Sequence, residues 1–91
     1  MKFKLMEYLR NKDEIRRYTS DVYAVEEYNV KSVREMVEII MNKKDEIKDS
    51  ILDIDLVVEV YISKYNLKAI MEAMSFFAME PGIRVSFAEE R

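Results

Sequence analysis

Between Ile54 and Pro81 the hydrophobic pattern changes period once, with polar punctuation at the change. Ile54, Leu56, Val58, Val60 and Ile62 recur at every second position, with Asp55, Glu59 and Ser63 among the residues between them, and this alternation predicts a half-buried strand. Lys64-Tyr65-Asn66 breaks the alternation. From Leu67 the apolar positions are Leu67, Ile70, Met71, Met74, Phe77 and Ala78, the spacing of a helix, and Pro81-Gly82 stops it.

The first ten residues fit two patterns. Phe3, Leu5 and Leu9 share the parity of a strand face, whereas Leu5, Met6, Tyr8 and Leu9 fit a helical stripe built from good helix formers. The reading adopted is a strand, followed by a turn at Asn11-Lys12-Asp13, a return through Ile15 to Tyr18, and a β-rich run from Val22 to Val25. Thr19-Ser20-Asp21 would be an irregular middle of this hairpin. A helix is then expected from about Val30, capped by Asn29, with Ser32 and Glu35 as a second capping box one turn later. Val33, Met36, Val37, Ile40, Met41, Lys44 and Ile47 trace its inner face. The last strand is expected from Ile83 to Phe87, with Glu89-Glu90-Arg91 fraying.

Tyr28-Asn29-Val30-Lys31-Ser32-Val33 echoes Tyr65-Asn66-Leu67-Lys68-Ala69-Ile70, which reads as repeated strand-to-helix punctuation, Tyr sealing each junction and Asn capping each helix. Two copies fall short of the three or more that a repeat array needs. The predicted order is β-β-α-β-α-β, one α+β domain over residues 1–91: a two-layer sandwich, a mixed sheet with both helices on one face. In outline this order resembles ferredoxin-like folds. The sequence does not fix the order of strands across the sheet.

Ninety-one residues can hold one core, and 49% hydrophobic with 36% charged residues, one Gly and one Pro predicts short connections and dense secondary structure. The absence of Cys excludes disulfides and thiol chemistry, and a reducing cytosol is the expected compartment. No apolar run approaches the length of a membrane span and no secretory core opens the chain. A chain without His, Gln or Cys but rich in Glu, Lys, Ile and Val leans toward a thermophilic source, against which stand seven Met residues. The net charge is -3, yet residues 1–17 carry six basic residues against three acidic ones.

The chemistry-bearing inventory is thin. Without His or Cys, the commonest general base and the best nucleophile are missing, and none of Thr19, Ser20, Ser32, Ser50, Ser63, Ser75 and Ser86 lies in a nucleophile motif. Asp49, Asp53, Asp55 and Glu59 could bind a hard cation, but no glycine-shaped loop spaces them as ligands, and an exposed polar sheet face is the favoured account. No enzyme, cofactor or metal is therefore expected.

The second helix is apolar over most of its circumference. Beyond its main stripe it carries Ala69, Ala73, Phe76 and Met79, leaving only Lys68, Glu72, Ser75 and Glu80 polar, so burial on more than one side is expected. The leading expectation is a non-enzymatic interaction or accessory subunit whose partner is a second copy or another protein, with Met71, Met74, Phe76 and Met79 as anchors. The bland alternative folds the N-terminal segment over this helix within one chain. A nucleic-acid module is the runner-up, using Lys2, Lys4, Arg10, Arg16 and Arg17 interleaved with Phe3, Tyr8 and Tyr18. A third reading, a small-molecule sensor with ligand at a subunit junction, is opposed by the single Gly82, since close backbone approach recruits glycines.

Overall fold

The first residues resolve their ambiguity in favour of a strand. In this computed structural model, which describes residues 1–9 and 22–90, β1 (Lys2–Leu9) and β2 (Val22–Asn29) are followed by α1 (Val33–Lys48), β3 (Ile54–Ile62), α2 (Leu67–Met79) and β4 (Arg84–Glu89). The expected turn at Asn11-Lys12-Asp13, the Ile15–Tyr18 return, the Thr19-Ser20-Asp21 irregularity and the basic side chains of Arg10, Arg16 and Arg17 lie outside the described residues. Tertiary pairing overrides the helix propensity of Lys, Leu, Met and Glu in β1. The strand lies between two neighbours, antiparallel to both, with Phe3 opposite Tyr28 and Val60, and Leu5 opposite Glu26 and Val58.

The sheet order is β2-β1-β3-β4, with β3 and β4 parallel, so the sheet is mixed. The ferredoxin-like outline fits, while the strand order differs from the usual one of that fold. A single buried cluster joins one sheet face (Phe3, Leu5, Leu56, Val58, Val60, Ile62) to α1 (Val33, Met36, Ile40) and α2 (Ala73, Phe77). Both helices therefore cover one face, and among the described residues no helix or strand packs on the other, the two-layer α+β arrangement that period-2 alternation demands. Among the described residues, no helix is long and apolar enough to cross a membrane.

The start of α1 corrects two expectations. Asn29 ends β2 instead of capping a helix, and the helix begins at Val33 rather than near Val30. The reason is that Val30 is buried and its N–H donates to the Met1 carbonyl at 2.8 Å, which extends sheet pairing past Asn29. Ser32, in extended conformation, takes the cap: its Oγ accepts from the Glu35 N–H at 3.2 Å, and the Glu35 carboxylate accepts from the Lys31 N–H at 3.0 Å. Ser32→Ala should destabilise the fold by about 1 kcal/mol and lower Tm by about 4–8 °C. Thermal unfolding followed by circular dichroism checks this, and an unchanged Tm would remove the cap from the account.

Asn66 does cap α2, accepting from the Ala69 N–H at 3.2 Å. The sequence echo thus marks two junctions with different roles. Tyr28 stacks on Phe3 with centroids 5.1 Å apart, whereas Tyr65 is exposed and seals nothing. At the other end, Glu89 belongs to β4 and the Glu90 N–H donates to the Ile62 carbonyl at 3.3 Å, so pairing with β3 holds residues that were expected to fray.

Candidate interaction surface

At about 100° per residue, Ala73 and Phe77 point α2 into the core, with Ala69, Ile70 and Phe76 beside them. Leu67, Met71, Met74 and Ala78 then fall together on one flank, at spacings of four, three and four, the repeat that lines a helix-packing seam. All four are exposed: Leu67 by 66%, Met71 by 68% and Met74 by 56%. The contrast with α1 is one of chemistry. The outer surface of that helix presents Arg34, Glu35, Glu38, Asn42 and Asp45, whereas the seam on α2 carries no charge.

Of the anchors expected from the sequence, the structure brings Met71 and Met74 together on this seam. Phe76 lies on the opposite flank of the buried face, half-buried against the core and edge-on to Phe77 at 4.9 Å. Met79 is exposed but sits about 140° around the helix from Met74, beside Lys68 and Ser75. Leu67, Ala78 and Phe87 belong to the surface although sequence reasoning did not single them out. The four-three-four spacing was visible, but it became a separate seam only once Ala73 and Phe77 defined the inward direction. Phe87 joins because β4 is an edge strand: its ring, 41% exposed, meets Phe77 edge-on at 6.2 Å.

The open sheet face holds the described part of the basic N-terminal stretch. Lys2 and Lys4 place their ammonium groups 5.0 and 5.7 Å from the centroid of the Tyr61 ring. Lys2 also pairs with Glu27 at 3.0 Å; this hydrogen bond raises the Lys2 pKa and lowers that of Glu27. The Tyr61 hydroxyl donates to Glu59 at 2.6 Å. Strand alternation puts Lys2, Lys4 and Arg84 on the same face as Glu27, Asp55 and Glu59, so the cations there are matched by carboxylates. Phe3, expected to help stack bases in the nucleic-acid reading, is fully buried on the helix side.

Under α1 lies a polar inclusion. Glu7 is buried on the helix side of β1, with the Lys43 Nζ 4.0 Å from its Oε2 and 3.0 Å from Glu46 Oε2. Farther along the same face of β2, opposite Phe3, the Tyr28 hydroxyl donates to Glu26, and that hydrogen bond holds its pKa above the usual tyrosine value. A cavity of about 320 Å³ opens where α1 ends and β3 begins, lined by Lys44, Ile47, Lys48, Asp53, Leu56 and Ile83. The Lys44 ammonium there is engaged by Glu80 at 2.6 Å. Among the described residues, no three carboxylates converge as a metal site; Asp55 and Glu59 lie along β3 and Asp53 precedes it. Comparison of the chain with protein-family models, with curated proteins and with solved structures gives no match.

Proposed function

We propose that this chain is a small non-enzymatic interaction or accessory subunit that binds a protein surface through α2. The observation that carries this reading is the uncharged seam of Leu67, Met71, Met74 and Ala78, exposed to water beside Phe87. Isolated exposed apolar residues are ordinary, but a contiguous stripe on one helix face is the signature of an association surface. Met and Phe suit such a surface, because the flexible thioether adapts to irregular partners and the ring contributes large buried area. The matched charges of the open sheet face and the burial of Phe3 weigh against the nucleic-acid alternative.

The test is affinity capture from a native extract with wild-type and Met71→Glu baits, each verified as folded by circular dichroism. The wild type should retain a protein, whether another copy of itself or a different chain, that the variant does not. Identical retained sets on both baits would overturn the reading.

A further inference from the structure

We propose that the partner is a second copy of this chain, joined edge to edge so that β4 pairs antiparallel with its counterpart and the two α2 seams close over the junction. The proposal rests on the reading of α2 as a protein-binding surface and adds the partner and the register.

The strand supplies the first argument. Among the described residues β4 has one strand neighbour, β3, and because the Glu90 N–H is directed at Ile62, alternation turns the backbone groups of Val85, Phe87 and Glu89 to the open edge. Edge strands are normally blunted by charge or proline. The opposite edge, β2, carries Glu26 and Glu27 in its second half, but β4 confines its charges to its ends, around Val85, Ser86, Phe87 and Ala88.

One two-fold register satisfies every group on that edge. Centred on Phe87, it sets Phe87 against the partner's Phe87 and Val85 against the partner's Glu89 as hydrogen-bonded pairs. Ser86 then meets the partner's Ala88, and Arg84 meets the partner's Glu90, on the open sheet face. Arg84 and Glu90 would form non-hydrogen-bonded pairs, where opposed side chains come closest; within one chain Glu90 already pairs with the Met1 ammonium at 3.4 Å, so the two-fold axis would add the partner's Arg84 to each existing ion pair.

Helix spacing supplies the second argument. A crossover helix rides over the two strands it joins, and neighbouring strands lie about 4.8 Å apart. Two α2 helices on a continuous sheet would therefore be separated by two strand spacings, about 9.6 Å, within the 8–10 Å range of packed helices. The seam faces the required way, because Phe77, whose ring meets Phe87 on β4, lies between Ala73 and Met74 around the helix. A helix seam alone is narrow against roughly 800 Å² per partner for a stable interface, and the strand edge with Phe87 widens it.

Light scattering across a concentration series tests the proposal. The wild type should reach twice the 10.9 kDa chain mass. Met71→Glu should weaken association about 100-fold. Arg84→Glu should weaken it about tenfold by setting two like-charge pairs across the axis, and Arg84→Glu with Glu90→Arg should restore it. Circular dichroism confirms that each variant is folded, and the restoring double variant separates a register effect from misfolding. A wild type that stays monomeric throughout would overturn the proposal, while the α2 reading would stand or fall separately on the capture experiment. A dimer split by Met71→Glu but unaffected by Arg84→Glu would overturn the strand pairing and leave the α2 reading intact.

Discussion

Phe3→Ala should remove about 3–5 kcal/mol of stability, enough to bring the protein close to its unfolding midpoint under ordinary conditions. Phe3 is fully buried on the strand that pairs with both β2 and β3, stacked on Tyr28 and opposite Val60. Its ring fills space that elements on either side cannot close, because β1 is held in place by hydrogen bonds along both edges. The expected cost therefore combines lost transfer energy with a residual cavity. Urea denaturation gives the number, and a loss below about 1 kcal/mol would show that the site collapses or that Phe3 is not at the centre of the core.

Lys43→Met should cost about 1–3 kcal/mol, for a different reason. It leaves the buried Glu7 carboxylate without its cation, a loss set by desolvation more than by the strength of the original pair. The 4.0 Å separation and the sharing of Lys43 with Glu46 keep the figure below that of a tight buried pair. Adding Glu7→Leu should recover most of the loss, because an apolar side chain of similar volume can replace a buried charge without penalty. The pH dependence has a definite sign. The Lys43 pKa is raised, above all by its hydrogen bond to Glu46; burial opposes this, and the charge of Glu7 adds a smaller upward push. A raised folded-state pKa gives stability that is fully present below the unfolded lysine value, about 10.4, and is lost as pH rises through the folded value. The gap between wild type and Lys43→Met should thus be constant near neutral pH and narrow above about pH 10.4. A gap that widened there would contradict the pairing.

Most of the architecture was legible because hydrophobic period is a local signal. Alternation from Ile54 to Ile62 and the helical run from Leu67 each have a single physical reading, and the observed spans agree with them. The start of α1 was misread because Asn29 and Ser32 are equally good caps in isolation. Only the long-range bond from Val30 to Met1 decides between them. Glu7 was illegible for the same reason: in sequence it is one more polar residue beside Met6 and Tyr8, and its burial depends on Lys43, far along the chain. On α2 the excess of apolar residues was evident. Its division into a core face, a seam and an outlying Met79 needed the position of the sheet.

The placement of β1 bears on how the chain is made. β1 is synthesised before β3, yet one of its two edges is completed only by Ile54–Ile62. At roughly 5–20 residues per second, that side waits some 3–10 s during translation. For those seconds the β3-facing edge of β1 has its backbone groups unpaired, a window in which holding factors and misassembly compete for it.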